Sequence, residues 1–230
     1  MSLRKIFGHA CVLWVCFFLL GGAESEAGDS TGVEDESLRA AVAVVEDLHN
    51  TLIKSMKGGA GGADFVARYG FIKKAVERDF HLPLMASVIA GYFWRSASET
   101  DKTDFIEAFT EFTVTNYASN FMSYSGESFT TKKSFFLGDS RDRVRVNTAL
   151  YREEKAPAIL DYALRRFDGD WYIVDIFLDG RISELARRRS EYRSIDSEGI
   201  GLKALTAHLR RTSDENAEEA GGRVPRADGG

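Results

Sequence analysis

The sequence predicts an α+β fold: N-terminal helices, an antiparallel curved sheet of about four strands, then helices wrapping back, with an apolar pocket between sheet and helices. Three observations carry this expectation. Apolar residues recur at three-and-four spacing before Asn120 and after Ile182, and at spacing two between them. Asp168-Gly169 separates two of the alternating runs, as a tight antiparallel hairpin requires, because both residues tolerate positive φ. The third is an excess of apolar surface in RDFHLPLMASVIAGYFW, Arg78 to Trp94, where eleven of seventeen residues are apolar or aromatic. One buried stripe on a short helix needs fewer.

Residues 1–27 have the layout of a secretory signal peptide: Arg4 and Lys5, an uncharged apolar run from Ala10 to Leu20, then small residues with cleavage points after Ala23 or Ala27. The eleven-residue run covers roughly 16 Å as a helix, short of the ~30 Å hydrocarbon core that a retained anchor must span. Cys11 and Cys16 both lie inside this segment, so the mature chain has no thiol for a disulfide, a metal or nucleophilic catalysis. Residues 28–35 read as a flexible N-terminus.

The domain proper covers residues 36–211. Leu38, Val42, Val45, Leu48, Leu52 and Met56 form the stripe of a first helix, which KGGAGG stops. That glycine run lacks the GxxxxGK[ST] order of a phosphate loop and follows no strand. A second helix covers about Asp64 to Arg78. The third starts near Pro83, which suits a first helical turn, and Gly91 ends or bends it. Ser98 to Asp101, SETD, is a capping box for a helix whose stripe is Phe105, Phe109, Phe112 and Asn116.

Strands follow at Phe129–Leu137, Arg143–Tyr151, Ala158–Phe167 and Trp171–Leu178. Their in-phase sets include Val144, Val146, Thr148 and Leu150; Leu160, Tyr162 and Leu164; and Val174, Ile176 and Leu178. Helical spacing returns from Ile182 to Tyr192 and from Gly201 to Arg211. Residues 212–230, TSDENAEEAGGRVPRADGG, read as a disordered tail.

The 30 Lys and Arg against 35 Asp and Glu give a net charge of -5, with no basic surplus for nucleic acid. No cofactor motif occurs. His49, His81 and His208 lack metal-ligand spacing and read as surface or capping residues, and Ser123, Ser125 and Ser128 sit in a polar loop rather than a GxSxG elbow. Asp161 and Asp175, on neighbouring strands, are the one pair that could divide into acid and base; the plainer reading is that they lie on the solvated edge of a sheet face, or accept hydrogen bonds from arginines such as Arg143, Arg145 or Arg165. RRRSEYR, Arg187 to Arg193, is the densest positive cluster: a solvated helix face, or a contact with anionic lipid headgroups or an acidic partner.

DFHLPLMASVIAGYFWRSAS with FIEAFTEF, WYIVDIFLDGRISELARRRSEYRSI, and EGIGLKALTAHLRR, in that order, resemble the phospholipid-binding MlaC family, also called the toluene-tolerance family. His81 after Phe80 and the charge-rich SELARRRSEYR depart from its usual pattern and look more like the hopanoid-associated HpnM branch. The resemblance implies a non-enzymatic, soluble periplasmic carrier without cofactor. Its cargo would be phospholipid or hopanoid, moved between an inner-membrane ABC-type complex and an outer-membrane partner.

The excess apolar surface then has a use. Leu84, Met85, Val88, Ile89 and Phe93 would form a pocket wall, closed by Phe105 and Phe109 and by Val146, Leu160, Tyr162, Leu164, Val174 and Ile176 from the sheet. On that reading Ile89→Trp reduces the lipid carried.

Overall fold

The long first helix, α1, runs from Thr31 to Ala60 with Ala41, Val45, Leu48, Leu52 and Met56 buried along one stripe. It belongs to a computed structural model that describes residues 31–60, 64–153, 155–195 and 201–226. The signal segment and residues 28–30 lie outside the described residues. α1 starts before Glu36 and continues into the first glycines, so the helix is longer at both ends than its apolar stripe. Among the described residues no helix is long and apolar enough to cross a membrane.

α2 (Phe65–Asp79) is capped by the Asp64 carboxylate, which accepts from the Ala67 N–H at 2.7 Å. α3 (Leu82–Ala90) is capped by His81, whose Nδ1 accepts from the Leu84 N–H at 3.2 Å, and carries Pro83 in its first turn. Gly91, at φ +57°, turns the chain into the short α4 (Tyr92–Ser96). The Ser98 hydroxyl then starts α5 (Glu99–Asn120) by accepting from the Asp101 N–H at 3.1 Å.

The sheet is a meander of five antiparallel strands: β1 (Ser128–Phe136), β2 (Arg143–Arg152), β3 (Lys155–Phe167), β4 (Asp170–Leu178) and β5 (Ile182–Ser183). Asp168 and Gly169, at φ +49° and +101°, make the tight β3–β4 turn that the sequence signals. Asp179-Gly180 is a second such dipeptide, at φ +51° and +67°, and it creates the two-residue β5, a strand the sequence reading did not contain.

One correction sets the inner face of the sheet. Ala163 pairs with Asp175 but Leu164 pairs with Ile173, so Val174 is an extra residue in a β-bulge. The phase of β4 flips there. Ile173 is fully buried, while Val174, assigned inward by simple alternation, is only half-buried. The bulge also leaves the Ile173 carbonyl free to accept from the His81 N–H at 3.0 Å, tying the α2–α3 junction to the sheet.

α6 (Glu184–Ile195) and α7 (Gly201–Glu219) close the domain. The tail expected to be disordered from Thr212 is instead helical to Glu219. The buried stripe Leu202, Leu205 and Leu209 continues as Ser213 and Ala217, small residues whose inward facing carries little hydropathy signal. Beyond the helix, Arg226 pairs with Glu111 and, at 3.0 Å, with Asp214.

Gly180 faces Asp161 at the β4–β5 turn, where an added Cβ would meet Asp161 Oδ2 at 3.2 Å. Gly180→Ala is expected to cost about 1–2 kcal/mol, mostly through the left-handed φ. Urea denaturation checks this, and an unchanged midpoint would contradict the turn assignment.

Candidate functional site

Between α5, the inner sheet face and α6 lies a cavity of about 110 Å³. Its apolar walls come from Leu52 of α1, Phe80 and Met85 at the α2–α3 junction, Phe109, Phe112 and Phe121 from α5 and its end, Leu150, Leu160, Ile176 and Leu178 from the sheet, and Leu185 of α6. Its polar lining is Thr113, Asn116 and Asn120, at helical spacing on α5, Asp175 of β4, and Glu184 and Arg188 of α6. Direct contact between α5 and α6 is slight. Most of the polar lining thus comes from these two helices, on either side of the seam between them.

These polar groups are largely committed within the protein. Arg188 lies over the Phe112 ring, 4.4 Å from its centroid, and pairs with Glu184 at 2.8 Å. The Asp175 carboxylate accepts from the Ser183 hydroxyl at 2.6 Å and from the Ile176 and Leu185 N–H groups at 2.8 and 3.2 Å. It anchors β5 and the start of α6 to β4. Burial pushes its pKa up while those bonds pull it down.

Tyr162 forms the cavity floor, and His49 behind it shares a 3.0 Å hydrogen bond with the Tyr162 hydroxyl and stacks on Phe129 at 3.9 Å. His49 is 4% exposed. It is thus a core residue rather than the surface or capping histidine the spacing suggested, whereas His81 does cap a helix. Burial lowers the His49 pKa to about 3 and holds Tyr117 and Tyr162 well above the usual phenol range.

Of the thirteen residues assigned to a pocket wall from sequence, Met85, Phe109, Leu160, Tyr162 and Ile176 line this cavity. The others do not. Phe105, Val146 and Leu164 are fully buried and fill the core on either side. Leu84, Val88 and Val174 are half-buried away from it, Val174 because of the bulge. Ile89 and Phe93 face a different pocket, between α3, α4, α6 and α7. One turn of α3 separates Met85 from Ile89 and sends them to different spaces.

Asp161 and Asp175 lie on the sheet face opposite Leu160 and Tyr162, but they do not form an acid–base pair over the cavity. Only Asp175 reaches its edge, and it is saturated with donors. Asp161 is 6% exposed, with Arg145 Nη1 3.9 Å away, and burial raises its pKa. Among the described residues no group of three or more His, Cys, Asp or Glu side chains could hold a metal.

Asn116, Asn120, Leu185 and Arg188 escaped sequence reasoning as lining residues. Asn116 was legible as a member of the Phe105–Phe109–Phe112 stripe. The α6 residues were not, because nothing in the sequence places α6 against that stripe.

The fold is similar to that of the phospholipid-binding protein from Ralstonia solanacearum, solved in complex with a phospholipid, with a TM-score of 0.64 at 17% identity, over 77% of this chain and 98% of that one. Comparison with curated protein sequences gives no significant match. The family profile described as MlaC protein matches residues 46–211, which include every element that builds the cavity. The chain belongs to the MlaC family.

Proposed function

We propose that the protein is a periplasmic lipid carrier that holds an acyl or polycyclic lipid, phospholipid or hopanoid, in the α5–α6 cavity. It would be exported by its signal peptide and move lipid between an inner-membrane ABC-type complex and an outer-membrane acceptor or donor. The observation that carries this reading is the apolar cavity with one polar seam, within a fold shared with a phospholipid-bound protein. Sinking an acyl tail of about a dozen methylenes into such a space recovers roughly 10 kcal/mol of hydration cost. The headgroup would lie at the seam, near the Asn116 amide and the Arg188 guanidinium, whose five N–H donors exceed what its pair with Glu184 uses.

The cavity as it stands is comparable to one of roughly 150 Å³ that takes a single benzene-sized guest. A whole tail therefore requires α5 and α6 to part, and their slight contact makes that the direction of least resistance. Cargo is loaded and released by differential affinity for the two membrane partners, with no nucleotide consumed by the chain itself.

The test is transfer of a fluorescent phospholipid between donor and acceptor vesicles. Protein at catalytic concentration is expected to accelerate transfer, and Asp161→Asn together with Asp175→Asn to leave the rate per folded molecule unchanged. No acceleration by wild type, with either phospholipid or hopanoid probe, would remove the carrier reading. A rate lost in the double variant at full folding would favour carboxylate chemistry on an apolar substrate instead.

A further inference from the structure

The pocket of about 200 Å³ that receives Ile89 and Phe93 has a different character from the cavity. Its floor is Ile89, Tyr192 and Leu205, all buried, and its rim is Tyr92, 77% exposed, with Arg189 and Arg193. No Asp or Glu is among its described lining residues.

The arginine cluster of α6 divides by face. Arg187 and Arg188 point to one side and are held by Glu184 at 2.6 and 2.8 Å, with Arg187 also bonded to Glu191. Arg189 and Arg193, one turn apart, turn to the other side and have no carboxylate partner among the described residues. Arg189 is half-buried against the chain bend, so close that a Cβ on Gly91 would lie 2.9 Å from its Nε. Its guanidinium therefore lies along the pocket wall, partly covered. Arg95, three residues after Tyr92 in the last turn of α4, is exposed as well.

We propose that this pocket is a second binding site, separate from the cavity, for the anionic headgroup of a lipid embedded in a bilayer surface. Two guanidinium groups on one helix face supply paired donors for a phosphate. The exposed Tyr92 ring supplies the amphipathic body that settles at a membrane–water interface. Overall charge cannot bring the protein to an anionic surface, since the chain carries -5, so adhesion has to be local. The site shares α3 and α6 with the cavity wall but uses a different face of α6. Its occupancy does not depend on what the cavity holds.

The experiment is co-sedimentation of the full chain with phosphatidylglycerol-containing vesicles and with phosphatidylcholine vesicles, at low ionic strength. Wild type is expected to bind the first and not the second. Each arginine near an anionic surface contributes on the order of fivefold in partitioning, so Arg189→Gln with Arg193→Gln loses roughly 30-fold. Tyr92→Ser, at an exposed position that leaves folding intact, loses severalfold on its own. Arg143→Gln with Arg165→Gln, equal in charge but on the sheet beside Asp142, changes binding by less than about twofold. Equal binding to both vesicle types, no vesicle binding, or an equal loss in the sheet control would each overturn the proposal. So would displacement from vesicles by inorganic phosphate at matched ionic strength, which would assign the arginines to a soluble ion.

Discussion

Met85→Trp is expected to leave the folded protein nearly free of lipid. Met85 is 5% exposed and lines the cavity from the first turns of α3. The indole adds bulk where the tail has to start, in a space of only about 110 Å³. Overpacking of this kind costs about 1–3 kcal/mol of stability, and less where a void can absorb the ring. Ile89→Trp is the matched control. Ile89 is 1% exposed and one turn away, outside the cavity, so the same enlargement should destabilise the protein without emptying it. Lipid per folded molecule, measured by mass spectrometry of extracts beside a denaturation curve, distinguishes the two. Equal lipid in Met85→Trp and wild type would show that the tail does not pass Met85.

Acid is expected to weaken the fold through His49. Its pKa is near 3 in the folded protein, against 6.5 for the ordinary imidazole, because the ring is buried against Phe129 and Tyr162. The unfolded chain therefore takes up the proton first as pH falls, and stability declines by ~1.4 kcal/mol per pH unit. The contribution is complete above pH 6.5 and is lost progressively down to about pH 3. Asp79, Asp161 and Asp175 work in the opposite sense, since burial raises their pKa values and the folded state gains protons before the unfolded one.

The difference between wild type and His49→Phe isolates the histidine. The variant keeps a ring against Phe129 and strands the Tyr162 hydroxyl, at a cost of about 1–3 kcal/mol at neutral pH. Its stability should then fall less steeply than wild type on acidification. Parallel slopes from pH 6.5 to 4.5 would contradict a neutral buried His49.

What the sequence disclosed, it disclosed through period and turn chemistry. The helices of the first half, four of the five strands and the Asp168-Gly169 turn follow from spacing alone. The bulge at Val174 does not, because one extra residue in a ladder has no signature in a strand apolar on both phases. That single residue shifted the assignment of β4. The second aspartate-glycine turn, Asp179-Gly180, was legible and implies β5. The end of α7 was hidden because Ser213 and Ala217 bury as small residues against α5, where close approach rather than hydropathy is what they supply.

For the cavity, the elements were legible and the depth along each was not. Met85 and Ile89 share chemistry and helix face, as do Phe109 and Phe105. Which member of each pair meets empty space depends on where α6 crosses, a tertiary fact. The aromatic stripe of α5 announced burial. Only the packed fold shows that its N-terminal end fills the core while Phe109, Phe112 and Asn116 look into a void.

The most direct measurement is the mass spectrum of whatever is extracted from the protein purified from its native envelope without detergent. A carrier with a dry apolar interior should yield a lipid in defined ratio to protein, and its mass will separate phospholipid from hopanoid. Protein that comes out folded, active in no transfer assay and free of any lipid would contradict the account.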